Sequence, residues 1–401
     1  MKRLSAALGL WLAAGMATAS GDRVFEPRIA VTGEPANGVY HHLDGAGRKH
    51  IALSGRLVAA AWEDNRDGAP QVYAAVKPFA DSRFPAAVRV SGGGEAWEPS
   101  IAGLDEGRFV LAWEQDRAVL AALLDEDGIG HRLRLTEAAS GHAGVAVHRG
   151  RVYASWRERR DGEWFVRVAA LRAADSGALA LESSVAVEQQ GIPTAVQYPS
   201  MAVNEAGIVI AWEDCRAGHT RLQVSHSELT APGFSAPRDL NEYFSERNIY
   251  DKGSGVARVT RATFAADEVL AAWMDKRRGG AGYGIFAALG SGEIFGPNEK
   301  VHGVDGDRQS HYNPAAAGNL AGDFVVAWDD FRRGDADIWL SSYDDDLAWG
   351  PDYAPQPASG TGEQSSPAIA LDARGALHLL WIERAGPDAP SQLWYSLGTP
   401  R

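Results

Sequence analysis

Short apolar runs recur along the chain, each closed by a tryptophan and then broken by acidic, basic and glycine residues. Phe324-Val325-Val326-Ala327-Trp328 leads into Asp329-Asp330-Phe331-Arg332-Arg333-Gly334-Asp335, and Asp337-Ile338-Trp339-Leu340 then begins a second run. Strand, polar turn and strand make the pattern of a β-hairpin. The closing tryptophan returns at Trp62, Trp113, Trp156, Trp212, Trp273, Trp328 and Trp381, with spacings of 51, 43, 56, 61, 55 and 53. A strand-rich repeat of about 50 residues predicts a propeller-type array.

The repeat has further fixed positions. Two residues after the tryptophan stand Asp64, Asp214, Asp275 and Asp330, relaxed to Gln115, Glu158 and Glu383. Four residues after it stand Arg66, Arg117, Arg160, Arg216, Arg277 and Arg332, lost only at Ala385. Thirteen or fourteen residues before it lie Pro99-Ser100-Ile101-Ala102, Pro199-Ser200-Met201-Ala202, Pro314-Ala315-Ala316-Ala317 and Pro367-Ala368-Ile369-Ala370. One repeat therefore reads as four strands: the Pro-Ser-Ile-Ala strand, the tryptophan strand, a third such as Gln71-Val72-Tyr73-Ala74, and a fourth such as Ala87-Val88-Arg89-Val90. The tryptophan strands are apolar on both faces, as a strand sandwiched between two neighbouring sheets must be.

Seven tryptophans predict an all-β, seven-bladed β-propeller of four-stranded antiparallel blades. The last repeat stops at its third strand, Gln392-Leu393-Trp394-Tyr395, while Phe25 to Val31 resembles the fourth strand Phe84 to Val90. The N-terminal strand is thus expected to complete the C-terminal blade, which closes the ring and removes its open edges. Residues 20–401 are read as this single domain.

The turns between third and fourth strands resemble the Asp box of sialidase-like (BNR-repeat) propellers. Ser342-Tyr343-Asp344-Asp345-Asp346-Leu347-Ala348-Trp349 keeps the Ser, Asp and aromatic positions with Asp346 in place of Gly. Gly292 with Phe295, and Phe84 and Phe234, look like more eroded copies. The resemblance implies a propeller fold over nearly the whole mature chain. Sialidases of this superfamily use six blades, an arginine triad, a Tyr–Glu nucleophile pair and an acid/base Asp. Their first arginine lies in Phe/Tyr-Arg-Ile-Pro; here Arg28-Ile29 is followed by Ala30, and Arg48-Lys49-His50-Ile51 lacks the proline. Seven blades depart from the pattern as well, so no catalytic residue is carried over.

Composition narrows the setting. Met1-Lys2-Arg3, an apolar run from Leu4 to Ala19 and a closing Ala17-Thr18-Ala19 read as a secretory signal peptide over residues 1–19. The run is too short to span a bilayer with flanks of its own, and no other stretch is long and apolar enough. A periplasmic or secreted protein without a membrane span is expected. Net charge is −13, or −15 without Lys2 and Arg3. So acidic an exported protein is a poor partner for nucleic acid or anionic membrane. Cys215 is the single cysteine, which excludes an intramolecular disulfide or a cysteine metal cluster and leaves a turn residue.

An Asp-x-Arg pair present in nearly every repeat is read as structural, the carboxylate fixing the turn and pairing with the arginine. One substrate meets one set of groups, so a site should break the symmetry. Three linkers leading into first strands do so, on the face that carries the Asp-x-Arg turns. Segment 40–50 holds Tyr40, His41, His42 and His50, and imidazoles suit Zn, Cu or Ni. Segment 241–258 holds Tyr243, Tyr250, Asp251, Lys252 and Arg258 in the widest spacing; a Tyr beside a Glu resembles a nucleophile and its base. Segment 305–313 holds Asp307, Arg308, His311 and Tyr312. No phosphate loop, nucleophile elbow or H-E-x-x-H stands in the chain.

The leading expectation is an exported, non-catalytic propeller that binds a carbohydrate or protein ligand as a monomer through these thirteen residues. No cofactor is specified. An exo-acting glycosidase of sialidase-like type is the first alternative, for which three arginines around one carboxylate-sized space would speak. A metal-binding periplasmic propeller using His41, His42, His50 and His311 is the second.

Overall fold

Successive side chains of a strand point to opposite faces. In Leu57–Asp64 the residues Val58, Ala60 and Trp62 therefore share one face, and Ala59 and Ala61 the other. The two faces enter different cores. Trp62 packs with Leu380, Ile382, Leu393 and Tyr395 from the end of the chain, whereas Ala59 and Ala61 pack with Ile101, Phe109 and Trp113 from the next repeat. The same handover recurs around the ring, so each of seven apolar clusters lies between two consecutive sheets and contains one of the seven tryptophans. All seven are fully buried.

The computed structural model describes residues 23–43, 47–174, 177–188, 197–216, 220–229, 233–242, 259–264, 267–277, 282–303, 308–343 and 348–401. They form seven antiparallel sheets in sequence order, a seven-bladed β-propeller. Blade two illustrates the plan: inner strand Ala96–Gly103, tryptophan strand Phe109–Gln115, third strand Ala118–Asp125, and an outer position filled by Gly128–Ile129 and Leu133–Arg134. Blade six differs from expectation at its rim, where two isolated bridges, Leu340 with Tyr353 and Tyr343 with Trp349, hold the outer position. The Asp-box residues 344–347 of that turn lie outside the described residues, as do residues 1–19, expected above to be a signal peptide.

Closure is as expected. Arg23–Phe25 and Ile29–Ala30 both pair antiparallel with the last strand, Ser391–Pro400. Arg28 pairs with Glu383 and lies over the Trp394 ring at 4.2 Å, which fastens the first segment to the last blade. Inner strands approach so closely that a Cβ on Gly103 would sit 1.8 Å from the carbonyl oxygen of Leu53 in blade one. No helix among the described residues is long and apolar enough to cross a membrane.

Candidate functional site

The Asp-x-Arg pairs are internal fasteners. The Trp62 indole donates to Asp64 at 2.8 Å, the Arg66 backbone N–H donates to the same carboxylate at 3.0 Å, and the Arg66 guanidinium lies 4.3 Å over the Tyr73 ring. Trp328, Asp330 and Arg332 repeat the arrangement at 3.0 and 2.9 Å, as do Trp273, Asp275 and Arg277 at 3.0 and 2.8 Å. Burial raises the Asp330 carboxyl, but hydrogen bonds from His311 and Arg332 outweigh it and hold the group well below the usual carboxylate range. The carboxylate is thus bound from within its own blade, which makes the pair part of the frame.

The symmetry breaks one step further in. Among the described residues, the inner strands of blades two, three, four, six and seven each slip register near their start, between Trp97 and Ser100, Gly141 and Gly144, Gln197 and Ser200, Tyr312 and Ala315, and Ser365 and Ala368. Inside each bulge one non-glycine residue takes a left-handed backbone: Glu98, His142, Tyr198, Asn313 and Ser366, with φ of 51°, 55°, 52°, 52° and 54°. This conformation is uncommon outside glycine, and bulges gather beside active sites because they re-aim a side chain. Proline follows four of the five (Pro99, Pro199, Pro314 and Pro367). In blade one His50 takes the place of Ser100, since its carbonyl accepts the N–H of Ala61, the residue before the tryptophan. Counting back two residues puts Arg48 at the ring position. The same count in blade five reaches Arg258.

Behind this ring stands the residue after each tryptophan, on the face opposite the indole: Glu63, Glu114, Arg157, Glu213, Met274, Asp329 and Ile382. Several accept the bulge N–H of the following blade. Glu98 N–H donates to Glu63 at 3.2 Å, His142 N–H to Glu114, and Ser366 N–H to Asp329 at 2.7 Å. The bulges are thus fixed from behind by carboxylates of the preceding blade.

Blades one to four concentrate charge at the channel mouth. The Arg48 side chain is 1% exposed and pairs with Glu98, with Glu114 at 3.7 Å. Burial lowers the Arg157 guanidinium from its ordinary value, opposed by Glu114 and Glu98. The rings of His142 and Tyr198 stack at 4.4 Å and 5°, and the Tyr198 N–H donates to His142 Nδ1 at 3.0 Å. Arg48 lies 5.8 Å from the Tyr198 ring centre. Two guanidinium groups, two carboxylates and a stacked aromatic pair therefore occupy one side of the mouth. The other side carries Asn313, Ser366 and Asp329, whose carboxyl is pushed up to about 7 by burial against the bonds from Asn313 and Ser366.

Oxygens of Glu98 and Glu114 and a ring nitrogen of His142 lie within 4.8 Å of one another, a spacing a metal ion fits. The donor set suits a cation poorly, because Arg48 sits against both carboxylates and His142 Nδ1 already accepts an N–H. The arrangement suits a neutral, hydroxyl-rich ligand better. Arginine and carboxylate offer adjacent donors and acceptors to paired hydroxyls.

The sequence-predicted residues are distributed differently. Tyr40 is 42% exposed on the rim, 5.7 Å from the Arg384 guanidinium. His41 is buried between Ser391, at 3.0 Å, and Asp64, at 3.7 Å, and burial lowers it to about 4. His42 is exposed, 3.6 Å from Glu63. His50 is buried with Nδ1 3.0 Å from the Ala61 carbonyl. His311 is buried 3.1 Å from Asp330. Tyr312 packs edge-on against Phe331 at 5.7 Å, and Arg308 is exposed. The structure holds His41 and His311 in separate blades against their own Asp, and brings no three of the four histidines together among the described residues. Tyr243, Tyr250, Asp251, Lys252, Arg258 and Asp307 lie outside the described residues. Glu98, Glu114, His142, Arg157 and Tyr198 escaped the sequence reading. For Glu98 and Tyr198 the signal is a variable residue directly before the Pro of the inner strand, and for Glu114 and Arg157 one directly after the tryptophan; His142 precedes Ala143 and carries neither mark.

No family model and no curated protein matches the chain. Solved structures do. A protein of unknown function from Dyadobacter fermentans has a TM-score of 0.57 at 12% identity, with 94% of this chain and 99% of that one covered. An α-L-arabinanase of Penicillium chrysogenum complexed with arabinobiose has a TM-score of 0.50 at 12% identity, with 74% and 92% covered. Trypanosoma rangeli sialidase with the inhibitor DANA has 0.47 at 9%, with 94% and 59% covered. At these identities what is shared is the β-propeller fold.

Proposed function

We propose that this chain is an exported carbohydrate-binding propeller whose site is the channel-mouth cluster of Arg48, Glu98, Glu114, His142, Arg157 and Tyr198. One observation carries the reading: on a scaffold repeated seven times, charge and aromatic surface gather on one side of the ring, at positions equivalent by register whose side chains differ from blade to blade. The arabinobiose of the Penicillium structure supplies a first probe, and acidic sugars a second.

The test is calorimetric titration of the mature protein with neutral and acidic oligosaccharides. Binding by one sugar class, weakened at least tenfold in Glu98→Gln and in Tyr198→Gly, is the expected result. If no sugar binds, the carbohydrate reading falls and a protein ligand at the same mouth becomes the question for a pull-down. Export is part of the proposal: N-terminal sequencing after expression with residues 1–19 should find a start near Ser20.

A second reading has its own observation. The Glu98 and Glu114 oxygens lie within 4.8 Å, close to the carboxyl separation of about 5–5.5 Å in retaining glycosidases. In that case one carboxyl protonates the leaving oxygen while the other attacks the anomeric carbon and the glycosidic bond breaks; water, deprotonated by the first carboxylate, then releases the sugar from the second. Reducing-sugar release that disappears in both Glu98→Gln and Glu114→Gln would establish it; binding without turnover would reject it.

A further inference from the structure

Below the polar ring the axial channel encloses about 230 Å³ between the inner strands. Each inner strand pairs with its own tryptophan strand on one edge, as Ile51–Ser54 does with Leu57–Asp64 and Ala96–Gly103 with Phe109–Gln115, and turns its other edge to the axis. The apolar side chains beside the channel leave it for the cores between blades, Ile51 with Trp62, Ile101 with Trp113 and Val145 with Trp156. The wall is therefore made largely of backbone edges, whose outward N–H and C=O groups have no strand beyond them.

Among the described residues that line the channel, one carries a charge, and that is Lys49. It stands where four other blades place Pro99, Pro199, Pro314 and Pro367, which are buried, while Lys49 is half-buried. Its backbone N–H reaches Ser100 Oγ at 3.5 Å and its carbonyl accepts the Ile101 N–H at 2.8 Å. The amine enters no hydrogen bond or ion pair among the described residues. Enclosure lowers it from its ordinary value, and no carboxylate opposes that shift. Glu98 and Glu114 are no counter-charge for it, because both lie against Arg48.

Other buried cations of the chain are answered from within. Arg48 pairs with Glu98 and Arg277 with Asp275. Lys77 Nζ donates to the carbonyls of Pro78, Phe79 and Asp81 at 3.0, 3.3 and 2.9 Å, and lies over the rings of Phe84 and Tyr395. A buried cation ordinarily has such partners because an unpaired one is costly. Lys49 has the open channel in their place.

We propose that the axial channel binds a small oxyanion, a phosphate, a sulfate or a short carboxylate, on Lys49 Nζ, with backbone N–H groups of the inner-strand edges as further donors. An ammonium and an oxyanion make a charge-assisted hydrogen bond, about twice as strong as a neutral one. Polar walls spare the anion the full cost of dehydration. The amine repels cations, and the prolines at the equivalent positions have neither charge nor N–H to offer, so the ligand is held at blade one. The site is independent of the sugar reading, since Lys49 does not belong to the mouth cluster.

Calorimetry of the mature protein with sodium phosphate, sulfate and acetate, at one ionic strength kept with sodium chloride, tests this. A single equivalent of oxyanion should bind, and the three arms tell phosphate, sulfate and carboxylate apart. Lys49→Met should weaken binding about tenfold or more, and Lys49→Arg should keep most of it. The same anion should raise the melting temperature of the wild-type protein and leave that of Lys49→Met in place. Absence of binding by all three anions, or equal binding by Lys49→Met, overturns the proposal. Should Lys49→Met fold poorly, acetylation of Lys49 by a small activated ester, mapped by mass spectrometry, gives the same decision. An oxyanion at about ten times its dissociation constant should slow the labelling about tenfold, and unchanged labelling overturns the proposal. A sugar panel that fails while an oxyanion binds sinks the sugar reading alone.

Discussion

Asp64, Asp275 and Asp330 each hold two partners that the chain supplies from either side, the indole two residues before and the turn N–H two residues after. The tryptophan is thereby fixed at its polar end while its rings fill the gap between sheets. Trp113→Ala should cost about 3–5 kcal/mol, read as a lowered urea midpoint, because the cavity opens among rigid strands. Buried histidines set the acid limit. Burial lowers His378 to about 4, where it bonds the Tyr395 hydroxyl at 2.8 Å, and lowers His41 equally. Unfolded histidines titrate near 6.5, so between pH 6.5 and 4 the unfolded chain binds protons the folded one refuses, and these two residues destabilise it as pH falls. The loss is about 3 kcal/mol each at full effect. Asp329 acts the other way. With its carboxyl raised to about 7, the folded chain keeps a proton the unfolded one gives up above about 4, so its contribution declines as pH rises towards 7. His378→Asn should flatten the acid loss and Asp329→Asn should steepen it, as urea midpoints measured from pH 4 to 7.5 will reveal.

At the scale of the element, the inner-strand bulge unites fold and site. Its left-handed residue costs about 1–2 kcal/mol wherever it is not glycine, yet it aims a side chain into the mouth. Tyr198→Gly should therefore leave the melting temperature unchanged or raise it while sugar affinity drops at least tenfold. Equal affinity would remove Tyr198 from the site. The same element explains what could and could not be read beforehand. The tryptophan strands and third strands were legible because each carries several consecutive apolar residues and a fixed turn, Asp64 to Arg66 or Asp330 to Arg332. The bulges were not, since a register slip exists only relative to a partner strand. Long linkers drew attention to segments 40–50, 241–258 and 305–313, and two of these contain the ring positions Arg48 and Asn313. Glu98 and His142 sit in short connections with no excess length to mark them, and the linker before Tyr198 is no longer than the one before His311. Glu114 and Arg157 follow tryptophans whose structural role hid the variable residue beside them.

For the whole molecule the decisive event is closure. Each apolar cluster joins two consecutive blades, so six of the seven are completed by neighbours in the chain, and the seventh requires blade seven to meet blade one. The terminal strands supply that junction, where Arg23–Phe25 covers the edge of Ser391–Pro400. A chain without residues 1–30 should expose that edge and give concentration-dependent association by light scattering. A monodisperse, fully stable truncation would show that the apolar contacts of blades one and seven suffice without the strand.

The constant frame around the bulge residue has a consequence for descent. Its backbone is held by the register slip, by the proline that follows it in four blades, and by a carboxylate of the preceding blade in the cases of Glu98, His142 and Ser366. None of these supports depends on what the residue's own side chain is. The mouth therefore behaves as a short alphabet written around a fixed dial, one letter to a blade. A duplicated copy of the gene can respell it one substitution at a time, acquiring a new ligand while every core, turn and closure contact stays as it was.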